Sequence, residues 1–260
     1  MNRATNSPPS HLTSRLLTES GFVHAFFTRQ GGVSPAPFDS LNFATSGADS
    51  GEREANLEVA AGVLGVARAK IYMPTQVHGV TCLTVSGAED AEEFRALEGD
   101  AVLGSHSDLA CAVRSADCIP VLIGCLRTGL AAAVHAGWKG CVRGVIPTAV
   151  QALRQAGATR LVAAIGPHIS LAAFEVSADV AAELVQASPD PDIVDRSGAK
   201  PHVDLRRLAR AQLRAGGLDD ASVDDVYGCT AREPELFYSF RRDGEFSGRL
   251  LSAIVPRDVA

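Results

Sequence analysis

Short apolar runs recur along this chain at 21–27, 80–85, 109–113, 119–126, 130–135, 161–165 and 250–255, and each predicts a strand. Helical spacing alternates with several of them. Residues 56–64 make one helix. Ile146, Ala149, Val150 and Leu153 fall at i, i+3, i+4 and i+7, a buried stripe closed by Gly157. Pro147 is acceptable only in that helix's first turn, so it sets where the helix starts. Two more helices are expected at 177–186 and 204–213, the second with Asp204 as N-cap and Gly216-Gly217 as terminator. Residues 188–201, rich in Pro, Asp and Ser, read as a loop that could serve as a lid. With no repeat, no heptads and no break in composition, one mixed α/β domain over 15–260 is expected, behind a loose tail at 1–14.

Composition changes this picture mainly by exclusion. The chain has 260 residues, 46% hydrophobic and 21% charged, so it can bury a substantial core and is not wholesale disordered. A net charge of −6 argues against nonspecific affinity for nucleic acid or acidic membranes, although a local cationic site can exist inside an acidic protein. No stretch approaches the roughly 18 uninterrupted apolar residues of a membrane span. The start of the chain lacks the apolar run of a signal peptide, and the six cysteines have no paired spacing. Reduced thiols in the cytoplasm are therefore the expectation.

The candidate chemistry centres on His78, Cys118 and His135. Two imidazoles and one thiolate would fill three tetrahedral positions on zinc and leave the fourth for water or substrate, as catalytic zinc sites do. The separations, 118 − 78 = 40 and 135 − 118 = 17, place the three on different elements. Taken singly, each has a plain alternative: a hydrogen-bonded histidine at a strand end, or an inert core cysteine. Asp100 and Asp117 could hold an imidazole N–H or a bound water, or simply cap turns. Glu175 stands between apolar residues; if buried, its raised pKa would suit an acid or base near neutrality. Arg29 beside Gly31-Gly32, Lys139 and Arg143 in a Gly-rich turn, and the pair Arg241-Arg242 could hold an anion or could simply be solvated.

Several motifs occur together and in order: Gln76-Val77-His78-Gly79, Gly99-Asp100-Ala101, Ala116-Asp117-Cys118-Ile119-Pro120 and His135-Ala136-Gly137-Trp138-Lys139-Gly140. An opening block from His24 to Ser34 and a closing block from Phe237 to Gly244, with Gly248-Arg249, accompany them. This set resembles the YfiH family, called laccase-domain or polyphenol oxidase proteins in older naming and purine nucleoside phosphorylases in newer naming. The resemblance implies mixed β-sheets layered between helices rather than a doubly wound nucleotide fold. It implies one zinc on His78, Cys118 and His135; beside it, Cys118, Asp117 and Glu175 are the catalytic candidates. It makes one phosphate pocket from Arg29, Lys139, Arg241 and Arg242 a reasonable expectation. The implied reactions are phosphorolysis of adenosine, inosine, guanosine and methylthioadenosine, and deamination of adenosine, by a monomer or homodimer.

Three other readings stand beside it. Copper suits a His₂Cys set, but a multicopper laccase needs many ligands in His-x-His pairs, and the seven histidines here form none. A metal-free hydrolase or deamidase could use Cys118 as nucleophile and His135 as base, which leaves His78 without a role. A non-enzymatic module stapled by zinc would have an incomplete ligand shell.

Overall fold

The computed structural model of this chain describes residues 11–44 and 49–259. Along the chain these form β1 (His11–Leu12), α1 (Arg15–Glu19), β2 (His24–Phe27), α2 (Ser50–Leu64), β3 (Ile71–Tyr72), β4 (Cys82–Val85) and α3 (Ala91–Ala96). There follow β5 (Ala101–Gly104), β6 (Ala110–Ser115), β7 (Ile119–Cys125), β8 (Ala131–Ala136), α4 (Trp138–Arg143), α5 (Val145–Gln155) and β9 (Leu161–Ile165). The last third holds α6 (Ala178–Ala187), β10 (Val194–Asp195), β11 (His202–Val203), α7 (Leu205–Ala215), β12 (Val223–Asp225), α8 (Phe240–Asp243) and β13 (Leu250–Ile254).

Two mixed sheets stack face to face. One has the order β1-β2-β13-β6-β3 and the other β12-β9-β7-β8-β5-β4. Period-2 alternation explains the layering. Along β7, Val121 and Ile123 pack with Ile146, Val150 and Leu208 of α5 and α7, while Leu122 packs with Phe26, Val113 and Ile254 of the opposite sheet. The outer face of that sheet, with Phe27, Ala112 and Leu251, is covered by Leu57, Ala61 and Leu64 of α2. Helices thus lie outside both sheets, and every residue of β7 and β8 is buried. Strands covered on both faces read as continuous apolar runs, which is why these were legible. Among the described residues no helix is long and apolar enough to cross a membrane.

The structure also corrects boundaries. Residues 11–14, assigned to the tail, form β1 and the N-cap of α1; Ser14 Oγ accepts from Leu17 N–H and donates to Asp224. Residues 1–10 of that tail lie outside the described residues. Helix α2 begins at Ser50, where the Asp49 side chain accepts from the N–H groups of Gly51 and Glu52; its first turn is polar, so periodicity missed it. The loop at 188–201 contains β10, which pairs with β11 in a small sheet of its own. Asp204 caps α7 as expected, accepting from Arg207 N–H at 2.9 Å.

Candidate metal centre and its cavity

The chain crosses between the sheets at 73–81, from β3 to β4, at 116–118, from β6 to β7, and over 226–249, from β12 to β13. All three crossings contribute walls to one cavity of about 590 Å³, a size suited to a small organic ligand. His78 comes from the first crossing and Cys118 from the second. His135 lies near the end of β8, opposite Pro120 of β7, which brings it beside Cys118.

Among the described residues the two non-glycine positions with positive φ are His78 (φ 55) and Asp117 (φ 86). Strained backbone of this kind persists where the surroundings hold it. Around His78 the holder is Asp100: its carboxylate accepts the N–H groups of Val77 at 3.2 Å, His78 at 3.0 Å and Gly79 at 2.7 Å. Arg143 adds a bond to the His78 carbonyl at 3.2 Å. Around Asp117 the holders are Thr230, whose hydroxyl donates to Oδ1 at 2.6 Å, and Arg241, whose backbone N–H donates to Oδ2 at 2.6 Å. Asp117 therefore ties the Cys118 turn to Thr230 and to α8, and both its oxygens are engaged.

The ligand atoms of His78, Cys118 and His135 all lie within 4.8 Å of one another. Cys118 Sγ is 3.7 Å from His78 Nε2, close to the separation of about 3.5 Å that ordinary Zn–S and Zn–N bonds give at a tetrahedral angle. His135 Nδ1 is bonded to Asp100 Oδ1 at 2.8 Å, which leaves the Nε2 lone pair, on the side of Cys118, to ligate a metal. Burial alone would raise the Asp100 pKa, but the bonds from His135 and from Gly79 N–H outweigh it, and Asp100 titrates below its usual range. Burial likewise pushes the Cys118 thiol up, while the imidazoles of His135 and then His78 pull it further down, favouring thiolate. The donor set, its spacing and its oriented histidine fit a metal ion. Gly137 completes the fit: a Cβ there would stand 2.5 Å from His78 Cδ2 and 3.0 Å from Cys118 Sγ.

Of the other expected residues, Asp117 and Arg241 line the cavity; Arg29, Lys139, Arg242 and Glu175 do not. Arg29 bonds the carbonyls of Asp39 at 2.8 Å and Pro234 at 3.1 Å and stacks on Tyr238, so it pins two loops together. Exposed Lys139 lies over the Trp138 ring. Arg242 is engaged by Asp243 and by the carbonyls of Thr230 and Phe237. Glu175 is exposed and bonded to Lys200 at 2.9 Å, and that bond holds its pKa below the usual range. The condition for an acid role near neutrality, burial, is not met.

Arg114 and Arg249 line the cavity together with Arg241, and sequence reasoning gave neither a role. Burial first, then the cations of Arg249, Arg53 and Arg95, push Arg114 down to about 10, which leaves it charged near neutrality. The signal for Arg114 was a lone charge in the apolar strand Ala110–Ser115. Trp138, Phe174 and Phe240 supply aromatic walls, and Phe240 is half exposed.

Residues 23–257 match the family model described as multi-copper polyphenol oxidoreductase laccase. A purine nucleoside phosphorylase of Streptomyces coelicolor is 37% identical over 236 residues, covering 90% of this chain and 95% of that protein. Another, from Deinococcus radiodurans, is 35% identical over 237 residues, covering 90% of this chain and 89% of the relative. The crystal structure of the Bacillus licheniformis hypothetical protein YfiH superposes with a TM-score of 0.88 at 25% identity, covering 97% of this chain and 98% of the other.

Proposed function

This chain belongs to the family of multi-copper polyphenol oxidoreductase laccases that includes the YfiH proteins, and from that membership we propose that it is a purine nucleoside phosphorylase whose His78–Cys118–His135 centre holds one zinc ion. The observation that carries this reading is the placement of the trio in the wall of a cavity of nucleoside size, among aromatic rings and arginines. The names of the relatives from Streptomyces coelicolor and Deinococcus radiodurans supply the substrate class. A thiolate with two neutral imidazoles suits zinc and leaves a fourth position free. When bound there, the ion supplies Lewis acidity to the cavity.

The chain's own residues do the rest. Asp100 fixes the tautomer of His135 and the loop bearing His78. Trp138, Phe174 and Phe240 offer faces for a purine. In phosphorolysis a phosphate oxygen bonds to ribose C1′ while the C1′–N9 bond breaks; its electron pair leaves on the base, which takes up a proton. Adenosine deamination, in which water replaces the C6 amine and ammonia leaves, is proposed as a second activity of the same cavity.

The donor count weighs against the copper oxidase reading. Among the described residues one His/Cys/acid cluster has metal-ligand spacing, and His24 and His168 bond the carbonyls of Phe22 and Gly166 instead. A metal-free Cys–His nucleophile has one observation in its favour, the thiolate-favouring position of Cys118 beside His135.

The deciding experiment incubates metal-loaded protein with inosine and with adenosine, with and without phosphate, and separates the bases from the nucleosides. Base release from inosine is expected only with phosphate, and conversion of adenosine to inosine in either case. Undiminished base release without phosphate would make the protein a hydrolase. Activity that survives complete chelation would point to the Cys–His pair.

A further inference from the structure

We propose that Arg114, Arg241 and Arg249 form the cradle that holds the phosphate nucleophile, beside the metal-ligating trio. The assignment rests on the phosphorolysis reading for the role of the anion, but on geometry for its place. All three arginines line the same cavity. Among the described residues none of the three has a carboxylate within ion-pair distance, whereas Arg53, Arg68, Arg95, Arg206, Arg207, Arg210, Arg214 and Arg242 all do.

Each cradle arginine is tethered by a terminal nitrogen to backbone carbonyls: Arg114 to Pro74 at 3.2 Å, Arg241 to Ala173 at 3.2 Å, and Arg249 to Ser247 at 2.8 Å and Gly248 at 2.9 Å. Neutral carbonyls fix position without cancelling charge. Phe174 under Arg241 and Phe240 under Arg249 further limit their movement. Planar guanidinium forks on residues lining one cavity match the oxygens of a phosphate.

The topology sets the cradle's place. β13 runs antiparallel to β6 with Leu250 opposite Ser115, so Arg249 sits at the sheet end where the chain turns towards Cys118. Burial lowers the Arg249 pKa, and Cys118 and Asp117 partly offset it; Arg249 in turn depresses Arg114. Arg249 thus lies close enough to Cys118 and Asp117, and to Arg114, to feel their charge. Three like charges in a partly buried enclosure are unfavourable until an anion arrives.

Inorganic phosphate and the 5′-phosphate of a nucleotide share this chemistry, and the test separates them. Trp138, the chain's single tryptophan, lines the cavity and reports occupancy by its fluorescence. Wild type, Arg114→Gln, Arg241→Gln, Arg249→Gln and Arg249→Lys are titrated with inorganic phosphate and with adenosine 5′-monophosphate, with Arg29→Gln as a control outside the cavity. The KM for phosphate is measured in parallel. Each neutral variant should weaken phosphate binding and raise that KM by roughly 10- to 100-fold, with partial recovery in Arg249→Lys and no change in Arg29→Gln. Circular dichroism confirms folding, and exposed Arg241 carries the test should Arg114→Gln not fold. Phosphate affinity unmoved in folded Arg241 and Arg249 variants of an active enzyme would overturn the cradle. Cradle-dependent binding of the nucleotide but not of phosphate would overturn the choice of anion. Wild-type protein that binds phosphate through these arginines yet releases no base would sink the phosphorolysis reading and leave the anion site standing.

Discussion

Asp100 Oδ1 accepts the Nδ1–H of His135 at 2.8 Å, and the same buried carboxylate gathers the three backbone N–H groups of the Val77–Gly79 turn. One side chain therefore orients one candidate ligand directly and positions another through its backbone. Asp100→Asn keeps the shape and removes the charge, so metal affinity should fall about 10- to 100-fold. Competition with a chromogenic chelator measures it. Affinity equal to wild type would show that the imidazole needs no anionic partner.

Gly137→Ala should damage the same centre by volume alone. The added Cβ would lie 2.5 Å from His78 Cδ2, far inside van der Waals contact, so the ring must move away from Cys118. Metal content after dialysis should drop well below that of wild type. Gly62→Ala is the contrasting change, because a Cβ there meets nothing within 4 Å inside α2. It should leave metal content unaltered and raise stability by about 0.5–1 kcal/mol in urea unfolding.

Arg29 tests the proposed location of the anion site. Its guanidinium joins the carbonyls of Asp39 and Pro234 and stacks on Tyr238. Arg29→Gln should therefore cost about 1–3 kcal/mol of stability while the KM for phosphate stays within about twofold, the direct ratio of two kinetic fits. A large rise in KM without loss of stability would return Arg29 to the phosphate pocket.

His168 predicts an acid-side loss of stability. Burial, reinforced by the nearby Arg206 cation, pushes its pKa down to about 4, and its ring bonds the Gly166 carbonyl. The unfolded imidazole takes up a proton below about pH 6.5 while the folded one stays neutral, so the unfolded state binds more protons across this window. Stability should fall as the pH drops from about 6.5 towards 4, with a contribution of about 3 kcal/mol from this group. His168→Asn can keep a donor for the carbonyl and does not titrate, so its urea-unfolding stability should vary less steeply over that range. An unchanged slope would assign the acid sensitivity to other groups.

Much of the site was legible because its signals are local. His78 before Gly79, Cys118 after Asp117 and His135 at the end of an apolar run are ligand types in distinctive settings, and the structure gathers them within 4.8 Å. Asp100 was legible as a partner for an imidazole. The cations were not. Arg29, Arg242 and Arg249 all stand in motif-like blocks, but the first two are paired with the carboxylates of Asp39 and Asp243, whereas Arg249 and the strand-borne Arg114 line the cavity with no such partner among the described residues.

By itself the sequence determined what neighbouring residues decide: the apolar runs that become doubly covered strands, the Asp204 cap, Pro147 in a first turn, and the three candidate ligands. Burial on both faces, capping and ligand chemistry depend on a few adjacent positions, so they can be read along the chain. Only the tertiary structure decided which charges are free. Arg114 and Arg249 are 249 − 114 = 135 positions apart and meet because β13 pairs with β6. Whether a guanidinium is engaged or available depends on carbonyls and carboxylates brought from distant segments, and no local pattern records that.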